Sequence, residues 1–114
     1  MTSGMKTVIY PVHDLAAAKT LFGALLRVQP DMDEPYYVGY TAPGQHVGLD
    51  PNGHAKGMTG PVGYWHVDDI DIAVKALVAN GASEREAAHD VGGGRLVATL
   101  TDANGNPIGL IQEA

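Results

Sequence analysis

The feature that most constrains this chain is that its two halves carry the same order of local signals. Val12-His13-Asp14-Leu15 is matched by Val67-Asp68-Asp69-Ile70, 55 positions later. Gly44-Gln45-His46-Val47-Gly48-Leu49 is matched by Gly105-Asn106-Pro107-Ile108-Gly109-Leu110, 61 positions later. Each half reads strand, Asp-capped helix, weak strand, hairpin. A unit that recurs in this way buries its apolar face against a second copy of the same design. The expected fold class is therefore α+β, built from two βαβββ modules within one domain that spans residues 1–114. The modules run over 5–50 and 62–113, joined by a Gly- and Pro-rich linker over 51–61.

The helices are the clearest elements. Asp14 is a good N-cap, and Leu15, Ala18, Phe22 and Leu25 follow on one face with Leu21 and Leu26 beside them. The second helix follows Asp68-Asp69, with Ile70, Val74, Leu77 and Val78 as its stripe and Gly81 where a left-handed cap belongs. One-sided stripes predict that each helix packs on a sheet. Lys6 to Val12, Tyr36 to Thr41, Gln45 to Asp50, Val62 to Val67, Arg95 to Thr101 and Pro107 to Ile111 read as strands. Val28 to Asp33 and Ser83 to Val91 are weaker candidates. Pro43-Gly44 and Asp102-Ala103-Asn104-Gly105 read as hairpin turns, and Gly92-Gly93-Gly94 as a hairpin loop.

Composition then excludes several function classes. The 114 residues include no cysteine, which removes disulfides, thiolate zinc sites and cysteine nucleophiles. Seven basic residues against thirteen acidic ones give a net charge of −6, with no stripe of cations for a phosphate backbone, so nucleic acid is not an expected partner. No apolar run approaches a membrane span, and Met1 to Lys6 lacks an apolar export core, so a cytoplasmic location is expected.

The paired βαβββ pattern, the Val-x-Asp-Leu helix entry and the Asp-x-x-Gly-Asn turn before the last strand resemble the vicinal oxygen chelate superfamily. That group includes glyoxalase I, bleomycin-resistance proteins and extradiol dioxygenases. The resemblance covers about Lys6 to Gln112 and implies U-shaped mixed sheets, helices on the outer face and a ligand in the concave trough. It also implies metal ligands seven residues before the helix-capping Asp and four residues after the turn glycine. Those rules land on Thr7, Val62, Gly48 and Gly109, none of them a suitable ligand set. The expected activity is therefore metal-free binding of a small hydrophobic or aromatic molecule, with no cofactor, as in the drug-sequestering members.

Strand alternation carried from positions 7, 48, 62 and 109 places Tyr36, Tyr40, His46, Tyr64, His66 and Arg95 in the trough as candidate ligand-binding residues. The tyrosines offer stacking, Arg95 an anion clamp, and the histidines hydrogen bonds or acid–base chemistry. Each has a structural reading beside it: aromatics fill sheets, and an exposed Arg forms surface ion pairs. Trp65, of opposite parity, is expected against a helix. An enzyme of the same superfamily is the alternative. It would use a metal site of His46, His66 and Asp50, or metal-free His/Tyr proton transfer. A homodimer is also expected from the resemblance, and the pairing itself is a third candidate role. Sedimentation equilibrium at micromolar concentration should give twice the chain mass, and a monomer there would refute the pairing.

Overall fold

Eleven segments form in chain order across all 114 residues of the computed structural model. They are β1 (Thr2–Pro11), α1 (Leu15–Leu26), β2 (Met32–Glu34), β3 (Tyr37–Ala42), β4 (Gln45–Asp50), a 3-10 turn (His54–Lys56), β5 (Val62–Val67), α2 (Ile70–Ala79), β6 (Ser83–Asp90), β7 (Leu96–Thr101) and β8 (Pro107–Gln112). The fold is α+β, with the βαβββ order occurring twice. Two compact units result: residues 6–62, and residues 63–114 together with 1–5. Residues 2–5 thus continue β1 beyond its expected start at Lys6. Thr2 anchors them to the second unit by donating from Oγ1 to the carbonyl of His66 at 2.7 Å.

In the first unit the strand order is β2-β3-β4-β1, with β1 parallel to β4 and the other pairs antiparallel. In the second it is β5-β8-β7-β6, with β5 parallel to β8. Each parallel pair needs a crossover, and α1 and α2 occupy these positions. Asp14 and Asp69 start the helices by accepting from the backbone N–H three residues on, at 2.9 and 3.1 Å. Gly81, at φ +108°, ends α2 as expected. The weak strand over 28–33 is reduced to β2, whereas Ser83–Asp90 forms a full strand whose register on β7 slips at two places.

Each helix covers one face of the strands of its own unit. Val38, Tyr40, Val47 and Leu49 are buried beneath Leu15, Ala18, Phe22 and Leu26 of α1. Ala98, Leu100 and Leu110 are buried with Ile70, Ala73 and Val74 of α2. The expected stripes are corrected in detail. Leu21 and Leu25 of α1 are 66% and 70% exposed, because the sheet is met by the 15-18-22-26 row rather than by all apolar positions. Val78 is also exposed. Trp65 shares the helix-side parity through its pairing with Leu110, yet stays 38% exposed and outside the core cluster. No helix is long and apolar enough to cross a membrane.

Turn length decides which side chains share a face. The β3–β4 hairpin closes with Ala42 opposite Gln45, a two-residue loop, so Gly48 lies opposite Gly39 and odd numbers face with even. The β7–β8 hairpin closes with Thr101 opposite Pro107, a five-residue loop, so Gly109 lies opposite Thr99 and parity is kept. The longer loop is organised by Asp102. Its carboxylate accepts from the backbone N–H of Asn104 and Asn106 and from the Asn106 side chain, at 2.8–3.0 Å. The Asn106 side chain above all holds the Asp102 carboxyl below its usual range. A depressed folded-state value gives stability that is present above the ordinary carboxylate range and lost as pH falls below it. Asp102→Ala should therefore lower the melting temperature most at neutral pH, and the gap to wild type should close as pH drops below about 4. A pH-independent gap in thermal melts would refute this account.

Candidate functional site

The sheet face away from each helix is built around a glycine. In the first unit Gly39 and Gly48 are cross-strand partners, both buried. The Tyr37 ring lies over both. A Cβ at Gly39 would stand 3.3 Å from Tyr37 Cε2, and one at Gly48 would stand 2.6 Å from Tyr37 Cζ. His46, two residues before Gly48 and so on the same face, also approaches Gly39, with Cε1 3.3 Å from that Cβ position. Thr41 sits opposite His46 and donates from Oγ1 to the Asp31 carboxylate at 2.7 Å, with His46 Nδ1 3.4 Å from the same oxygen. Thr7, on β1 opposite His46, is buried.

The second unit repeats the device. Tyr64 of β5 faces Gly109 of β8, and a Cβ there would stand 2.6 Å from Cδ2 and 2.7 Å from Cγ of the ring. His66 follows on the same face, opposite Ile111. Glu113 lies between two basic groups, its Oε2 accepting from Arg95 Nε at 3.1 Å and its Oε1 lying 3.8 Å from His66 Nδ1.

The expected site residues thus divide. Tyr64, His66 and Arg95 fall in the second unit, around Gly109 and Glu113, and Arg95 forms the ion pair that its surface reading anticipated. His46 faces the glycine floor of the first unit. Tyr40 does not. It is 1% exposed in the core beneath α1, where its hydroxyl lies 3.3 Å from the Lys19 carbonyl. Burial pushes its phenol above the ordinary range, partly offset by Lys19. Tyr36 precedes β3 and is exposed. Tyr37, absent from the candidate residues, takes the place assigned to them. The two-residue hairpin is the signal that finds it, since such a loop fixes odd–even pairing.

The proposed metal site of His46, His66 and Asp50 is not formed, because no group of three or more His, Asp or Glu side chains lies close enough to hold an ion. Asp50 is buried and instead folds the start of the linker, accepting from Asn52 N at 2.8 Å and Lys56 Nζ at 2.9 Å. Along that linker His54 stacks on His13, ring centroids 3.7 Å apart and planes 5° from parallel. At the four positions where the resemblance implies ligands stand Thr7, Val62 and two glycines whose side-chain space is filled by tyrosine rings. These residues do not fit a divalent metal.

Adding a methyl group beneath either ring forces a shift in a packed face. Gly109→Ala should cost about 1–3 kcal/mol by overpacking. Combining it with Tyr64→Ala should cost less than the sum of the two single changes, as neighbours in contact do. Additive costs in denaturant titrations would show that the ring does not rest on this glycine.

Comparison with known proteins agrees with this architecture. A family model described as Glyoxalase/Bleomycin resistance protein/Dioxygenase superfamily matches residues 4–110. No curated protein matches the chain in sequence. Among solved structures, a glyoxalase/bleomycin resistance protein/dioxygenase superfamily member from Vibrio splendidus 12B01 is similar at 16% identity and TM-score 0.71, covering 95% of this chain and 97% of that one. Methylmalonyl-CoA epimerase from Mycobacterium tuberculosis is similar at 19% identity and TM-score 0.70, covering 99% and 89%. The Streptomyces coelicolor methylmalonyl-CoA epimerase is similar at 14% identity and TM-score 0.75, covering 100% and 99%. With its doubled βαβββ order and a family match over nearly its whole length, the chain belongs to the glyoxalase/bleomycin resistance protein/dioxygenase superfamily.

Proposed function

We propose that this protein binds a small, flat, largely apolar molecule against the tyrosine-covered glycine floors of its strands, and does so without a metal at the positions 7, 48, 62 and 109. The observation that carries this reading is the pair of rings on glycine. Tyr37 and Tyr64 occupy the volume that a liganding side chain at 48 or 109 would need, and they put aromatic surface there instead. Aromatic walls with a few fixed polar groups suit a planar ligand. His46 and Thr41 supply such groups in the first unit, His66 and Arg95 in the second.

One observation favours a second reading, proton transfer at His46. The Thr41 hydroxyl donates to Asp31, which leaves its oxygen as an acceptor for His46 Nδ1 in the tautomer that carries the proton there. In that tautomer Nε2 is the nitrogen with the basic lone pair. Such an arrangement orients an imidazole for acid–base work.

A panel of aromatic compounds tested by thermal shift decides the first reading. A compound at a hundredfold excess over its Kd should add about 2.7 kcal/mol to stability. That shift should survive chelator and shrink in both Tyr37→Ala and Tyr64→Ala. A shift that appears only with added Zn, Ni, Mn or Fe would overturn it. Turnover of any bound compound that is abolished by His46→Gln and reduced by Thr41→Val would establish the second reading.

A further inference from the structure

The only non-glycine residue with a left-handed backbone is Arg27, at φ 58° and ψ 31°, the residue that ends α1. Its N–H closes the last turn on the Gly23 carbonyl at 2.9 Å, a task that glycine or asparagine performs at lower cost. Its guanidinium makes no hydrogen bond or ion pair. Nothing in the fold therefore requires arginine here. A second departure from local preference lies one turn earlier. Gly23 is inside the helix, where alanine would be more stable, and the space that its Cβ would take is open.

Both departures border one groove of about 600 Å³ in the first unit, on the α1 side of the sheet and away from the tyrosine floors. Lys19, Gly23, Arg27, Gln29, Asp33 and the edge of Tyr40 are among its walls. Lys19 is tied to Asp33 at 2.8 Å, which leaves Arg27 as the uncompensated charge. The walls thus carry a net positive charge on a chain whose net charge is −6. The last carbonyls of α1 oppose an anion, but only weakly and within one turn. A planar guanidinium suits an oxyanion bound through two parallel hydrogen bonds. Local rules broken together at one place mark sites of function.

We propose that this groove is a binding site for a small organic oxyanion, a carboxylate or phosphate monoester on a short apolar body, with Arg27 as its clamp. The site is separate from the tyrosine floors, and it stands whether or not those bind a ligand.

The experiment is a melting-temperature series with benzoate and with phenyl phosphate, each against sodium chloride of equal ionic strength. Either anion should raise the midpoint of the wild-type chain, and the one that does identifies the headgroup. Arg27→Gly should raise the ligand-free midpoint by about 2–4 °C, since it relieves the left-handed backbone. It should also abolish the anion-induced rise. Gly23→Leu, which fills the groove with a good helix former, should abolish the rise as well. Lys75→Gln, an equal loss of charge on an exposed part of α2, should keep it. No rise in the wild type with either anion, or a rise that persists in Arg27→Gly, overturns the proposal.

Discussion

The contact on which both open faces depend is a tyrosine side chain packed against a glycine backbone. Close packing of this kind needs an absent side chain on one strand and a ring of matching reach on its neighbour. It occurs once in each unit, but by different routes. In the first, Tyr37 lies over Gly39 of its own strand and reaches across the antiparallel pair to Gly48. In the second, Tyr64 comes from the parallel strand and covers the residue paired with it, Gly109. The same chemical result therefore comes from two different pairings, which a single ancestral contact copied by duplication would not produce unaltered. The liganding pattern implied by the family resemblance and this ring-on-glycine pattern compete for one volume, and the chain holds the second.

Much of the fold was legible from the sequence because its signals are local. Asp14 and Asp69 cap helices, Gly81 stops one, and the Asp102–Gly105 run turns a hairpin, all by bonds within a few residues. The candidate site was less legible, because face assignment is carried across turns. One residue of difference in loop count exchanges the two faces of a strand. The five-residue loop preserved parity and left Tyr64, His66 and Arg95 where alternation placed them. The two-residue loop reversed it, sending Tyr40 beneath α1 and bringing Tyr37 to the floor.

The edges of the apolar stripes were misplaced for a related reason. Helix α1 carries further apolar residues beside its packed row, so its sequence alone does not say where the buried face ends. The row that packs is selected by Tyr10, Val38, Val47 and Leu49 of the sheet beneath, which is information from elsewhere in the chain. Leu21 and Leu25 are left outward by that choice. Residues that pack through distant partners are invisible to periodicity alone, and so is the strain at Arg27, which only a φ angle reveals.

The irregular pairing of β6 has a consequence for how the chain behaves in a crowded solution. This strand ends the order of the second unit, so one of its backbone edges lacks a sheet partner. An unpaired edge is a template on which other molecules can extend a sheet. Two register slips twist β6 away from an even ladder, and Glu84, Arg85, Glu86 and Asp90 line it with charge. An incoming strand would have to match a broken hydrogen-bond rhythm while burying those ions. The irregularity thus acts as a guard against self-association into fibres, built into the strand that most needs it.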